Sequence, residues 1–89
     1  MKTIAITVRG RVQGVFFRQS TKEKADELGI TGSVMNAHNG DVRIIASGDE
    51  KKLSQLVEWC RHGPPRARVD TIEVNGVPFE QFSDFRVIR

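Results

Sequence analysis

The sequence predicts a small two-layer α+β sandwich, and its length, its apolar content and the order of its patterns support that prediction. The 89 residues fit one domain, spanning 1–89, because chains divide into several domains only at greater lengths. Hydrophobic residues make up 38% of the chain, enough for a compact core. Strand-like and helix-like patterns follow one another as βαββαβ, the order of the ferredoxin-like fold, in which two helices cover one face of an antiparallel sheet.

The first half of the chain supplies a strand, a helix and a hairpin. Apolar side chains alternate with polar or small ones at Ile4, Ile6 and Val8, the pattern of a strand with one covered face. Helical spacing then predicts a helix that Gly29 caps, with buried positions at Phe17, Thr21, Ala25 and Leu28. Two partly β-branched runs, 31–37 and 41–47, flank an Asn-Gly turn and predict a β-hairpin.

The second half supplies a helix, a strand and a short closing segment. Asp49 is a suitable N-cap and the prolines at 64–65 end the helix, whose buried stripe is Leu53, Leu56, Val57 and Cys60. A fourth strand is predicted over 66–74, with a bulge or twist because its apolar side chains change face midway. Asn75-Gly76 predicts a turn, and 85–88 could add a short extra strand.

Charge and composition narrow the classes of function. The net charge is only +3, but every charged residue before Glu23 is positive, which favours an anionic ligand near the N-terminal quarter. One cysteine, Cys60, cannot form an intrachain disulfide or a cysteine-based zinc site. His38 and His62 lie far apart without metal-ligand spacing, so we expect no metal. No apolar run reaches the ~20 residues of a membrane span, and we expect a cytoplasmic protein.

The connection from the first strand to the first helix is the strongest candidate for a binding site. Gly10 and Gly14 allow backbone N–H groups to converge, and the helix start adds unpaired donors. Arg18, in the first turn, can fold back and offer two parallel hydrogen bonds to phosphoryl oxygens. The loop lacks the P-loop and dinucleotide-binding motifs. A tight connection with a solvated arginine explains these residues equally well, so both interpretations stand at this point.

The predicted topology brings the hairpin after the second strand to the same end of the sheet as this loop. In the predicted fold the first two strands in sequence run in the same direction with the third between them, so the loop and the hairpin emerge together. Asn36, at the end of the second strand, can then face the start of the first helix. Asparagine near a turn also commonly bonds the hairpin backbone, which is the alternative role for this residue.

Three segments resemble the acylphosphatase family: GRVQGVFFR at 10–18, GSVMN at 32–36 and GPPRARV at 63–69. The resemblance covers nearly the whole chain and implies a ferredoxin-like hydrolase that cleaves carboxyl-phosphate anhydrides without metal or cofactor. It implies that Arg18 binds phosphate, that Asn36 positions the attacking water, and that the phosphate loop comprises Gln13, Gly14, Val15, Phe16, Phe17 and Arg18. Its ligands would be a small-molecule acyl phosphate and inorganic phosphate or a similar anion. We expect a monomer with no nucleic-acid or membrane partner.

The chemistry suits a site of this kind. A carboxylate leaving group has a conjugate-acid pKa near ~4 and departs without a protein acid. The site has to neutralise a phosphoryl group and aim one water, which amides, a guanidinium and a carboxamide can do. With no well-placed carboxylate or histidine, we expect a phosphoryl oxygen of the substrate to take the water's proton. One of Phe16 and Phe17 is expected to anchor the loop, and the other to form an apolar wall.

Two other functions remain as alternatives. One is a non-catalytic phosphate- or anion-binding regulatory module, and the other is an RNA-binding domain, which the absence of aromatic residues on the central strands disfavours. The chain also departs from common family residues. Ser33 replaces an aromatic, Ala37 lacks a hydroxyl beside Asn36, and Arg89 stands where a terminal tyrosine is frequent. These departures bear on stability and acyl-group preference.

Overall fold

The computed structural model describes residues 1–89 and confirms the predicted sandwich. Its seven elements are β1 Lys2–Arg11, α1 Phe17–Leu28, β2 Thr31–Asn36, β3 Val42–Gly48, α2 Glu50–Cys60, β4 Arg68–Val77 and β5 Phe85–Ile88. The sheet order is β4-β1-β3-β2-β5. Pairing among β1 to β4 is antiparallel, as expected, whereas the extra strand β5 pairs parallel to β2 and makes the sheet mixed.

The core lies between the two helices and one face of the sheet. Alternate residues of the central strands point into it, and the fully buried side chains include Ile6, Val8, Val34 and Ile44. Phe17 anchors α1 in this layer and packs edge-on against Trp59 of α2, with ring centroids 5.5 Å apart. Burying an aromatic side chain of this size contributes ~1.5–3 kcal/mol. The start of α1 is therefore fixed by packing and needs no cap to hold it.

The strand order brings the loop and the hairpin to one end of the sheet. β1 and β2 both pair antiparallel to β3, so they run in the same direction. The β1–α1 loop (12–16) and the β2–β3 hairpin (37–41) consequently leave the sheet at the same edge. This arrangement was expected from the element order, and it is what allows one site to use both connections.

β4 differs from its predicted limits. The Asn75-Gly76 pair was expected to turn the chain, but it lies inside β4, where Asn75 pairs with Ala5 and Gly76 with Ile4. The turn prediction was wrong because the ladder with β1 continues past this dipeptide and outweighs its local preference. The predicted bulge is present: Arg9 pairs with Thr71 and Gly10 with Val69, which leaves Asp70 unpaired.

Gly10 belongs to this bulge. Its φ is +136°, and a Cβ there would collide with the backbone carbonyl of Arg68. Its requirement for glycine therefore comes from the close approach of β4, which differs from the role in an anion-binding loop that the sequence suggested.

Neither α1 nor α2 has the length and apolar character that a membrane-spanning helix requires.

Candidate functional site

A cleft of about 280 Å³ opens where the start of α1 meets the ends of β2 and β5. Two of its lining residues are arginines and none is acidic; the set is Val12, Gly14, Phe16, Phe17, Arg18, Gln19, Asn36, Val87 and Arg89. Neither Arg18 nor Arg89 forms an ion pair with a carboxylate. A cleft with two unneutralised guanidinium groups and no negative side chain attracts anions.

The backbone amides beside this cleft have no acceptors within the protein. No carbonyl accepts from the N–H groups of residues 13–16, and the helical ladder begins only at Ser20, whose N–H donates to Phe16 O at 3.0 Å. Residues 17–19 form the first turn of α1, where N–H groups have no intrahelical partner. The amides from the loop through the first turn are thus available to a ligand.

The backbone of the β1–α1 loop contains two residues in the left-handed conformation. Gly14 has φ +74° and Phe16 has φ +64°, while Val15 between them stays at negative φ. Left-handed residues between residues of negative φ are a feature of concavities in which successive N–H groups converge on an anion. A left-handed aromatic residue costs roughly 1–2 kcal/mol, so the rest of the structure has to impose this conformation.

The two phenylalanines divide as expected. Phe17 is 2% exposed and holds the helix start in the core, whereas Phe16 is 73% exposed and forms part of the cleft wall. The buried ring fixes where the loop ends, and the exposed ring offers an apolar surface beside the amides. The pair therefore anchors the loop and shapes the cleft at once.

Arg18 is held against the last strand. Its Nη1 donates a hydrogen bond to the backbone carbonyl of Ile88 at 3.2 Å. This is the only hydrogen bond that the Arg18 side chain forms with the protein. The sequence suggested a guanidinium folded back over the loop; the structure instead anchors one N–H on β5 while the side chain lines the same cleft as the loop. Its remaining N–H groups stay free to donate to an anion.

Asn36 presents an unsatisfied acceptor at this site. It is the last residue of β2 and lines the cleft, and its Oδ1 is buried without a hydrogen-bond donor in the protein. Leaving a buried acceptor unpaired costs ~1–3 kcal/mol, so this oxygen calls for a donor from water or ligand. The turn-bonding role considered for Asn36 belongs to Asn39, whose Oδ1 accepts from Asp41 N–H at 3.1 Å.

Gln13 connects the loop to the hairpin. Its Nε2 donates to the carbonyl oxygens of Ala37 at 2.8 Å and Asp41 at 2.9 Å. The Gln13 side chain does not line the cleft, and Val15 is buried in the core. Of the six loop residues expected at the phosphate, Gly14, Phe16, Phe17 and Arg18 line the cleft, whereas Gln13 and Val15 fix the loop's position.

The remaining candidates lie elsewhere. Cys60, His38 and His62 do not line the cleft, and burial raises the pKa of the Cys60 thiol to about 12, which keeps it protonated. No three His, Cys, Asp or Glu side chains lie close enough together to hold a metal ion. Sequence reasoning missed four cleft residues: Val12, Gln19, Val87 and Arg89. Val12 and Gln19 directly flank the predicted loop, but Val87 in β5 and Arg89 after it carry no local signal.

Comparisons with known proteins agree on one family. The Acylphosphatase family model matches residues 4–87. An acylphosphatase of Marinobacter nauticus is 49% identical over 82 residues, covering 91% of this chain and 89% of that protein. The solved acylphosphatase from Coxiella burnetii is similar with a TM-score of 0.95 at 45% identity, covering 98% of this chain and 92% of its own. The acylphosphatase from Bacillus subtilis reaches 0.96 at 36% identity, with both chains fully covered.

Proposed function

The chain belongs to the acylphosphatase family and is an acylphosphatase, and from this premise we propose how its residues divide the reaction. The reaction converts an acyl phosphate and water to a carboxylate and phosphate. The observation that carries the assignment of roles is the cleft, in which unpaired amides, an unneutralised guanidinium and an orphaned carboxamide oxygen lie together. Each group supplies one requirement of phosphoryl transfer.

The loop amides and Arg18 bind the phosphoryl group. The N–H groups of residues 13–19 donate to its oxygens, and the positive end of the α1 dipole adds to their attraction. Arg18 contributes the guanidinium N–H groups that Ile88 leaves unused. Because Ile88 and Phe17 hold the donors in place before the substrate arrives, little reorganisation is needed as charge develops on the phosphoryl oxygens.

Asn36 orients the attacking water. Its unpartnered Oδ1 accepts a hydrogen bond from a water molecule and directs that water's lone pair at phosphorus. Holding the water in this orientation before reaction lowers the entropic part of the activation barrier. This oxygen is buried, and the low local dielectric strengthens its hydrogen bond to the water. No donor of the protein competes with the water for it.

The substrate supplies what the site lacks. Its carboxylate leaves as an anion because the conjugate acid has a pKa near ~4. No acidic or histidine side chain lines the cleft, so the proton of the attacking water passes to a phosphoryl oxygen of the substrate. The mechanism assigns no metal and no cofactor to the site. Location in the cytoplasm and a monomeric state stay predictions.

The test is hydrolysis of benzoyl phosphate in the presence of a chelator. We expect wild-type turnover to be unaffected by the chelator, and Arg18→Ala and Asn36→Ala to fold normally and lose ~10²–10³-fold in kcat. The matched controls are Arg61→Ala, directly after α2, and Asn75→Ala on β4, neither of which lines the cleft.

Three results would contradict the proposal. They are retained turnover in either cleft variant, a requirement for divalent metal, and a rate that depends on a protein group with a pKa near ~6. Binding of phosphate without turnover of any acyl phosphate would support the non-catalytic alternative instead.

A further inference from the structure

The cleft contains a second arginine besides Arg18. Arg89 follows β5 and lines the cleft together with Arg18, yet it forms no hydrogen bond or ion pair within the protein. Arg86, three residues earlier, is neutralised by Asp84 at 3.0 Å. Arg89 is therefore a free cation beside the binding loop.

Arg89 also marks the junction with a neighbouring groove. This groove runs between α1 and β5 and shares Gln19, Val87 and Arg89 with the cleft. The other cations there have partners, since Lys22 pairs with Asp26 at 2.7 Å and Arg86 pairs with Asp84. A ligand that extends from the cleft into the groove thus meets one guanidinium without an ion-pair partner, at the residue that the cleft and the groove share.

The geometry of the reaction decides which part of the substrate faces this charge. In-line transfer puts the leaving acyl oxygen opposite the attacking water. Asn36 and Gly14 line only the cleft, whereas Arg89 lines both the cleft and the groove. With the phosphoryl group on the loop amides and Arg18, and the water at Asn36, the acyl group extends toward the open part of the cleft. The groove beyond Gln19 and Val87 offers it room.

Resting on the proposed function, we propose that Arg89 is a specificity-determining residue that binds a carboxylate on the acyl part of the substrate. The enzyme then prefers acyl phosphates of dicarboxylic acids to those of neutral monocarboxylic acids. A guanidinium can form two parallel hydrogen bonds with a carboxylate, so the recognition is geometric as well as electrostatic. No acidic side chain lines the cleft, and Asp84, the acidic side chain of the groove, is paired with Arg86.

The experiment compares 4-carboxybenzoyl phosphate with 4-carbamoylbenzoyl phosphate. The two have nearly the same shape and differ in the charge of the group para to the reacting carbonyl, which cannot reach that carbonyl. The readout is the ratio of their kcat/KM values in wild type and in Arg89→Gln, because intrinsic reactivity cancels between enzymes. We expect Arg89→Gln to lower the ratio by about fivefold, the effect of an exposed ion pair.

Two further variants sharpen the test. Arg89→Lys keeps the charge without the fork and is expected to retain part of the preference. Arg61→Gln makes the same change in net charge outside the cleft and is expected to leave the ratio at the wild-type value. High salt is expected to reduce the wild-type ratio toward that of Arg89→Gln, because screening weakens an exposed pair.

An unchanged ratio in Arg89→Gln would overturn the inference, including the case in which both substrates slow equally because Arg89 holds the phosphoryl group. An equal fall in Arg61→Gln would do the same, since the effect would then come from net charge alone. Failure of wild type to hydrolyse either substrate, or benzoyl phosphate, would instead overturn the proposed function itself.

Discussion

The two helices begin in opposite ways, although they cover the same sheet. At α2, Asp49 accepts a hydrogen bond from Lys51 N–H at 3.1 Å, and Glu50 adds negative charge in the first turn. At α1, the cap position is the left-handed Phe16, no side chain accepts from the first turn, and no acidic residue lies there. The start of α2 satisfies one of its own N–H donors with a side chain, whereas the start of α1 leaves its donors free.

This difference separates a helix end that serves stability from one that, in the proposed function, serves binding. A capped N-terminus contributes about 1 kcal/mol to the fold. An uncapped one forgoes that stabilisation and keeps both its N–H groups and its dipole for an external anion. In α1 the loss is offset by Phe17, whose buried ring holds the first turn in the core. The binding loop can therefore stay unsatisfied without unravelling.

The sharpest way to break the comparison is to cap α1. Phe16→Asp places a carboxylate beside the free amides, and aspartate tolerates left-handed φ better than phenylalanine does. We expect the free energy of unfolding to rise by ~1 kcal/mol and kcat/KM for benzoyl phosphate to fall by ~100-fold, because the carboxylate competes with the phosphoryl group. Denaturant unfolding and steady-state kinetics measure both. Phe79→Asp, at another exposed aromatic, is the control and should leave activity unchanged.

Gln13→Glu tests whether the hairpin holds the loop. The change is isosteric but removes both donors and sets a carboxylate against the carbonyl oxygens of Ala37 and Asp41. We expect a loss of roughly 2 kcal/mol in the free energy of unfolding, together with lower kcat, because the loop amides lose their support. Gln55→Glu on α2 makes the same chemical change at an exposed site. Equal stability of the two variants would remove Gln13 from this role.

Above pH 8 the free energy of unfolding should depend on pH through Cys60, the last residue of α2. Burial raises the Cys60 pKa from 9.0 to about 12 in the folded protein, so above pH 9 the unfolded chain loses a proton that the folded chain keeps. Stability due to this group is present below pH 9 and is lost as pH rises toward 12. We expect a loss of about 1.4 kcal/mol between pH 8 and pH 10. Urea unfolding of wild type and Cys60→Ala should show this slope only in wild type.

The smallest expected effect is removal of the cap on α2. Asp49→Ala should lower the free energy of unfolding by ~1 kcal/mol, because Lys51 N–H loses its acceptor. We expect kcat/KM for benzoyl phosphate to stay at the wild-type value, since α2 supplies no residue to the cleft. A fall in activity comparable to that of Phe16→Asp would show that the two helix starts are not functionally distinct.

Local patterns were sufficient to predict β1, both helices and the β2–β3 hairpin. Alternation in β1, the apolar stripe of α2 and the Asn-Gly hairpin each depend on neighbouring residues, so the sequence displays them directly. The element order then brought the loop and Asn36 to one edge. The family resemblance supplied the roles of Arg18 and Asn36, since the residues alone left a structural interpretation open for each.

Contacts between distant segments could not be predicted in the same way. Gln13 reaches the hairpin 24 and 28 residues away, and Arg18 reaches Ile88 across 70 residues. The Asn75-Gly76 turn failed for the same reason, because pairing with β1 overrides its local preference. Arg89 lacks any local pattern that would mark it as a cleft residue. Each of these depends on the register of strands that the chain pattern leaves undetermined.

The anchoring of Arg18 on Ile88 couples the arginine proposed to bind phosphate to the edge of the sheet. β5 has only four residues and pairs on one side alone, so its end can fray at the edge of the sheet. When that end frays at Ile88, the guanidinium loses its fixed support while Phe85 stays in the core. Warming or mild denaturant should therefore reduce turnover before the protein unfolds, and loss of activity should report on the order of the final strand.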